Sequence, residues 1–592
     1  MYIKNFIIKN FRAIEELNLE FDKGLNILIG ENNSGKTSII DGLRLFLEES
    51  NNPRDIYWRE TDFRVDIDYH SLEFKPIEMK LVFEVENEME LAWFNELHSI
   101  NENNRDFLEL NIKVELIEKK STRKIRKKVW GGRNVNHRVS NEVLSALNTV
   151  YLGALRDANR NLRPNKNNML SKLFSNTILN ADESETEKTK ESLVNIFEKN
   201  MDSKEWKDFI ENGKENVSQH MEKLQFQNKQ HIQNIDINFS SLNFESIVQN
   251  LIVQIPIYSE EFIKEHDIKQ EYFEIYQNGL GYNNLIFTST IFGDILQRKE
   301  AFEEEFDLLL IEEPEAHLHP QLQNTFFEYL NELDKDENFQ IIVSSHSPTI
   351  TAKTKLKNLT ILQNKNKKII STHIRNISLS EDNLVFLKKF LDVTKSQLFF
   401  AKGVLLVEGI SEAILLPIFA KIMGKQYDLE KNGVEVVITG IAFSHFAKLF
   451  NSDNENQRLN FRCGILTDND RNENGEIPER VVNIKEMEKN NLRVFCSEIT
   501  FEHELFNSKL NEMVLEVFDD IHPIIRNKIK TEDFDAYCFV KKLNSNKTKS
   551  EFAYRLSKNL EEITSQDGKD LRIDIPAYIK NAIKFVLGEK DE

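Results

Sequence analysis

Cysteine is scarce: Cys463, Cys496 and Cys538 are the three in a chain of 592 residues. None stands in a CxxC spacing, which argues against a disulfide framework and a zinc site and points to the cytosol. Apolar runs long enough to span a bilayer are missing, and Met1-Tyr2-Ile3-Lys4-Asn5 opens no signal-peptide core. The expectation is a cytoplasmic protein without membrane contact. Net positive charge is lacking too. The formal charge is −20, which argues against a surface coated by nucleic acid but leaves room for a basic groove on an acidic body. No heptad is sustained, so a coiled coil is not expected.

What is present begins with length. One core rarely supports 592 residues, so several domains are expected. Residues Gly30-Glu31-Asn32-Asn33-Ser34-Gly35-Lys36-Thr37 fit G-x-x-x-x-G-K-[ST], a phosphate-binding loop. Leu25 to Ile29 reads as a buried strand entering it, and Ser38 to Leu47 as a helix leaving it. The backbone around Asn32, Asn33, Ser34 and Gly35 can turn its N–H groups on phosphate, with the helix dipole behind them. Lys36 would reach the β- and γ-phosphates of ATP, and Thr37 would hold one Mg²⁺.

Before the loop, Tyr2 to Ile8 and Leu17 to Phe21 alternate like half-buried antiparallel strands. Arg12, between them, is either a phosphate contact or a solvated turn residue. Farther on, Lys119, Lys120, Arg123, Lys124, Arg126, Lys127, Lys128, Arg133 and Arg138 make a basic stretch around Trp130 and Gly131-Gly132. It reads as a hairpin presenting phosphate contacts to DNA or as an edge whose lysines discourage aggregation. Residues 160–245 are polar and helix-favouring, an insertion that either pairs with a second copy or packs on its own lobe. Asn278-Gly279-Leu280-Gly281-Tyr282-Asn283-Asn284 then offers a glycine turn ahead of a helix.

Phe306 to Ile311 reads as a buried parallel strand running into Glu312-Glu313-Pro314-Glu315. Glu312 is assigned to the metal beside ATP, and Glu313 to the attacking water. Gln340 to Ser345 is a second such strand, ending at His346, which would sense the γ-phosphate. His317 and His319 are read as packing or capping residues. These motifs, in this order, resemble the ABC-type ATPases of the SMC class. The resemblance implies two copies sandwiching ATP, with the turn at Asn278–Asn284 acting in trans, and hence a homodimer or larger homo-oligomer. The turn departs from the family's Leu-Ser-Gly-Gly, and no clear glutamine-loop residue is found.

From about residue 400 a separate α/β unit begins. Gly403 to Val407 reads as a strand ending in Glu408-Gly409, with Ser411 capping the next helix. Arg462 to Thr467 is another, ending in Asp468-Asn469-Asp470, and residues two apart on a strand share a face. If the strands are parallel neighbours, Glu408, Asp468 and Asp470 meet at one sheet edge, where Mg²⁺ or Mn²⁺ is the natural partner. Glu502 and Lys549 extend the set. The pattern matches the Toprim fold.

An ABC-type ATPase followed by Toprim resembles the OLD (overcoming lysogenization defect) family of nucleases. Tyr151 to Asp157, Val407 to Glu412 and Lys549 to Ala553 look like that family's segments, with Ser550 where it more often has glycine. The resemblance implies an α/β protein: an ABC-type, SMC-like ATPase over residues 1–395 with its helical insertion, then a Toprim unit over 396–592 with a helical C-terminal part. It implies that Glu408, Glu412, Asp468, Asp470 and Glu502 bind two divalent ions, that Lys549 assists cleavage, and that ATP gates a DNA endonuclease in bacterial anti-phage defence. A partner, helicase-like or a retron reverse transcriptase with its DNA, is implied for some members. The rival expectations are an ATP-switched DNA clamp without cleavage and a primase- or topoisomerase-like enzyme.

Overall fold

In the computed structural model, the described residues are 1–48, 56–64, 74–101, 103, 105–119, 122–153, 169–178, 183–201, 208, 210–211, 214–215, 243–301, 306–316, 318–336, 339–365, 367–392, 394–471, 476–525, 534–564 and 575–589. They form two compact units. One holds Met1–Ser145, Leu308–Glu315 and Pro320–Glu592; the other holds Ala146–Asp307 and Ala316–His319. Lys120, His317, residues 154–157 and most of the expected insertion at 160–245 lie outside the described residues.

The first unit opens with strands β1 (Tyr2–Phe11), β2 (Ile14–Glu20), β3 (Leu25–Gly30), β4 (Ile77–Glu84), β5 (His98–Ile100), β6 (Asp106–Lys119) and β7 (Thr122–Gly131). All but β3 form an antiparallel sheet in the order β2-β1-β4-β6-β5, with β7 paired to β6. Alternation explains its single buried face. In β4, Ile77, Met79, Leu81 and Phe83 point inward, while Glu78 stays in water. The basic stretch becomes the outer strand of the β6–β7 hairpin.

β3 belongs to a second sheet, with β8 (Phe306–Glu312), β9 (Gln340–Ser345), β10 (Leu359–Lys365) and β11 (Lys368–His373), in the order β11-β10-β3-β9-β8. β3, β8, β9 and β10 run parallel, and β11 is antiparallel to β10. Every residue of β3, β8 and β9 is buried, as near-continuous apolar runs require when both faces are covered. Parallel pairing places their carboxyl ends on one side. Glu312 lies opposite Ser344 and Ser345 opposite Ile29, so the loop after β3, the acids after β8 and His346 share an edge. Helix α1 (Lys36–Leu47) leaves the loop as the sequence predicts.

The second unit contains the described helices Met169–Asn176, Glu183–Met201, Phe244–Val248, Glu260–His266 and α2 (Leu280–Ala301), and a ribbon of Gln254–Pro256 with Tyr272–Glu274. α2 begins in the glycine turn, where Asn283 donates to the Ile275 carbonyl at 2.7 Å.

The third sheet lies in the first unit. Strands β12 (Gly403–Val407), β13 (Val434–Ile438), β14 (Arg462–Thr467) and β15 (Leu492–Cys496) are all parallel, in the order β13-β12-β14-β15. Helices α3 (Ile410–Met423) and α6 (Ala577–Val586) pack on it, α5 (Lys549–Thr564) packs on α3, and α4 (Phe501–Asn507) joins the same core. Leu405, Val407, Leu416, Phe419, Phe552, Ile579 and Ile583 share one buried core. The α/β expectation, a mostly parallel sheet carrying the phosphate loop followed by a second parallel α/β unit, is met. One local expectation fails: Gly409, not Ser411, stands at the N-cap of α3, without a side-chain cap. The chain turns immediately after β12, which leaves Ser411 buried in the first helical turn.

The last two sheets meet through polar groups. Thr372 at the end of β11 donates to the Arg458 carbonyl at 3.1 Å, and Asn460 bonds back to Thr372 at 3.3 Å and to Gln363 of β10 at 3.2 Å. Arg458, Asn460 and Thr372 are all buried.

Gly30 has φ +153°, and a Cβ there would lie 2.2 Å from the Leu362 carbonyl oxygen. That oxygen belongs to the neighbouring strand and cannot swing away. Gly30→Ala is therefore expected to cost about 3 kcal/mol or more and to abolish nucleotide binding, read from the urea midpoint and from titration with a fluorescent ATP analogue.

Candidate nucleotide and carboxylate sites

The nucleotide site is built by the edge that β3, β8 and β9 share. Asn33 and Gly35 adopt left-handed backbone (φ +65° and +94°), which curls the loop into α1. The Lys36 ammonium donates to the Gly30 and Glu31 carbonyls, both at 2.7 Å, and to Ser34 Oγ at 3.1 Å. Burial holds its pKa down to about 8, although Glu313, Glu315 and Glu31 pull it upward. Thr37 Oγ1 donates to Glu312 Oε1 at 2.6 Å, so the two groups assigned to one Mg²⁺ are already neighbours. Glu313 takes a left-handed φ of +44°, and its carboxylate lies 3.6 Å from His346 Nε2. Burial, then the Lys36 charge, lowers the His346 pKa and favours the neutral ring. Asn32 and Asn33 are exposed on the loop.

Two residues there have roles that the sequence did not disclose. Glu315 Oε1 accepts from Ser345 Oγ at 2.9 Å and from the His346 N–H at 2.7 Å, which ties the end of β9 to the turn after β8. Only the sheet register reveals that contact. Arg12 is half-buried and bonds Asp41 of α1 at 2.7 Å and Asp62 at 2.8 Å.

At the third sheet, β12 and β14 deliver Glu408 and Asp468 side by side. Glu408 Oε1 accepts from the Asp468 N–H at 3.0 Å and from Thr467 Oγ1. Ser497, after β15, donates to Asp468 Oδ1 at 3.0 Å. Glu412 is buried in the first turn of α3. Glu502 of α4 accepts from Lys549, the first residue of α5, at 2.9 Å. Burial works against the Lys549 charge, but Glu502 outweighs it and raises the pKa. The position of Asp470 is not set by strand alternation. β14 ends at Thr467, and Asp470 has φ +40°, so strand alternation no longer applies. Asp470 pairs with Arg480, whose guanidinium also lies 3.9 Å from Glu408. No sequence signal marks Arg480; Ser497 stands at a strand's carboxyl end, a position that could have flagged it.

The crowding has an electrostatic signature. Burial first, then Glu408, Glu502 and Glu412, pushes Asp468 up to about 8. Burial, then Glu502 and Glu408, pushes Glu412 up to about 7. An all-oxygen donor set under mutual repulsion fits a hard divalent cation. Among the described residues no three His, Cys, Asp or Glu side chains are gathered closely enough to hold a metal. The acids are instead shared out among Arg480, Lys549, Thr467 and Ser497.

The basic strand β7 exposes Lys124, Arg126, Lys127 and Lys128. Arg123 is occupied by Glu60 at 3.4 Å and Glu118 at 3.7 Å. Both readings of the hairpin, DNA contact and protected edge, fit this exposure.

A carboxyl whose folded pKa exceeds its unfolded one takes up its proton on folding. Stability from Asp468 and Glu412 is therefore greatest near pH 4 and is lost as pH rises toward 7 to 8. Without metal, the melting temperature is expected to fall by roughly 2–4 °C between pH 6 and 8.5. Asp468→Asn or saturating Mg²⁺ should flatten that slope, as read by differential scanning calorimetry in chelator and in Mg²⁺.

Comparison with known proteins matches residues 1–351 to an AAA ATPase domain family and residues 399–470 to the Overcoming lysogenization defect protein-like TOPRIM domain. The chain is 28% identical over 206 residues to Endonuclease GajA of Bacillus cereus strain HuB5-5, a match covering 30% of this chain and 28% of that protein. It is 25% identical over 482 residues to Endonuclease GajA of strain VD045, covering 79% of this chain and 75% of the relative. It is 22% identical over 428 residues to the OLD nuclease of Thermus scotoductus, covering 70% and 72%. The first of these families takes in more than half of the chain, and its phosphate loop stands where β3 meets α1. The protein belongs to the AAA ATPase domain family and carries an OLD-like Toprim domain behind it.

Proposed function

We propose that the chain is an ATP-regulated, divalent-metal-dependent DNA endonuclease of bacterial anti-phage defence, working in the cytosol as a homodimer or larger homo-oligomer. The observation that carries this reading is the pairing of Glu408 with the Asp468 backbone just past the carboxyl ends of two parallel strands, with Glu502 and Glu412 near enough to raise the Asp468 pKa and Lys549 bonded to Glu502. The relatives named endonuclease and nuclease support it.

Glu408, Glu412, Asp468, Asp470 and Glu502 would hold two Mg²⁺ or Mn²⁺ ions. Bound there, such ions supply charge to the attacking and leaving oxygens of a phosphodiester. In this structure Asp470 pairs with Arg480 and Glu502 with Lys549, contacts that a bound cation would compete with. Lys549 is then available to offset phosphate charge. At the other site, Lys36 binds the β- and γ-phosphates of ATP, and Thr37 and Glu312 hold its Mg²⁺. Glu313 orients water, and His346, anchored by Glu315, senses the γ-phosphate. The turn at residues 278–284 would complete the sandwich from a second copy. ATP gates cleavage rather than driving movement along DNA. The residues of β7 offer phosphate contacts, and a helicase-like protein or a reverse transcriptase with its DNA is a candidate partner.

Supercoiled plasmid incubated with the protein and Mg²⁺ or Mn²⁺ should be nicked or linearised without religation. Asp468→Ala should lower cleavage by about 100-fold, and Lys36→Ala should remove the response to ATP. Binding of DNA with no cut product would favour the clamp. Religated topoisomers would favour a topoisomerase. Cleavage indifferent to ATP and to Lys36→Ala would remove the gating.

A further inference from the structure

Tyr578 is a residue of the carboxylate neighbourhood that the roles above leave unused. It stands in the first turn of α6, directly after Pro576 and Ala577. Its ring is half-buried against the Toprim core, but its hydroxyl oxygen is sealed from solvent and has no hydrogen-bond partner among the described residues. A buried phenol without an acceptor is costly, because water satisfies that group in the unfolded chain.

The packing of α6 says what the hydroxyl faces. Arg462, at the start of β14, donates to the Phe585 carbonyl at 2.8 Å, so the end of the helix lies over the beginning of the strand. A Cβ on Gly464 would lie 3.2 Å from Val586, which fixes that register. From Gly464 to Asp468 the strand advances about 13 Å. From Val586 back to Tyr578 the helix covers about 12 Å. Run antiparallel, the two bring Tyr578 level with Asp468. α6 also packs on α3, which carries Glu412. Burial and then the charges of Asp468, Glu412, Glu504 and Glu502 raise the Tyr578 pKa. A sealed, fully protonated phenol is a donor rather than a nucleophile for DNA.

We propose that Tyr578 is a positioning residue of the carboxylate site, whose hydroxyl donates to the Asp468–Glu412 pair, directly or through one bridging water, when a divalent cation is bound. Ligating carboxylates are oriented by donors of this kind behind them. Ser497 serves Asp468 from one side, and Tyr578 supplies a second donor from the helix. The inference rests on the metal-binding reading given above.

The test uses the full chain, stripped with chelator, and Mn²⁺ alone. Tyr578→Phe removes only the hydroxyl. Its metal-free melting temperature should equal or exceed that of the unsubstituted protein, because an orphaned polar group has gone. Its Mn²⁺ affinity, from calorimetric titration, should be weaker by about tenfold, with a smaller Mn²⁺-induced rise in melting temperature. An affinity unchanged by Tyr578→Phe, while Asp468→Asn abolishes binding, overturns this inference and leaves the metal reading intact. Mn²⁺ binding that Asp468→Asn does not alter overturns both. Should the phenylalanine variant fold poorly, 3-fluorotyrosine placed at position 578 gives a second readout. Its ¹⁹F resonance should move on Mg²⁺ addition and stay still in the Asp468→Asn background; a resonance indifferent to Mg²⁺ in the unsubstituted background overturns the proposal.

Discussion

Parallel strands end on one side of a sheet, and in this chain several of them end in acid. β12 stops just before Glu408 and β14 just before Asp468, and parallel pairing brings the Glu408 carboxylate onto the Asp468 backbone N–H. Glu412 and Glu502 then arrive on helices already committed to the same core. The fold tolerates this because Thr467, Ser497 and Lys549 supply hydrogen atoms and because Asp468 and Glu412 hold their protons well above the usual carboxylate range. Such concentrated anionic character is poor for stability and well suited to cation capture, a trade expected at reactive centres.

The ATPase edge follows the same rule with a different outcome. β3, β8 and β9 also end together, but their cargo is mixed: the Lys36 ammonium, the Glu312–Thr37 contact, and Glu315 gripping the Ser345–His346 corner. Opposite charges sit within the edge itself. Lys36 therefore needs no ion outside the protein to satisfy its hydrogen atoms, and burial rather than repulsion is the leading influence on its pKa.

What the sequence disclosed and what it hid divide along a physical line. Contiguous patterns were legible: the eight-residue loop, the buried strands Leu25–Gly30 and Phe306–Glu312, and Glu408 and Asp468 at strand ends. Each is encoded within about ten residues, where composition and periodicity act directly. Contacts made by register were not legible. Glu315 meets His346 and Arg480 meets Asp470 only after sheets and helices have docked. At Asp470 the period of two does not apply, because the strand ends at Thr467. Ser411 was misread because a glycine one step past Glu408 turned the chain before a side-chain cap was needed.

The buried joint between β11 and the stretch from Arg458 to Asn460 has a bearing on how the two halves of the chain can be separated. Thr372, Asn460 and Gln363 satisfy one another across what reads in sequence as a domain boundary near residue 395. Severing the chain there would strip these groups of their partners and turn a dry seam into wet surface on both fragments. The nucleotide-binding sheet and the Toprim sheet are thus masonry bonded along a shared course rather than beads on a string.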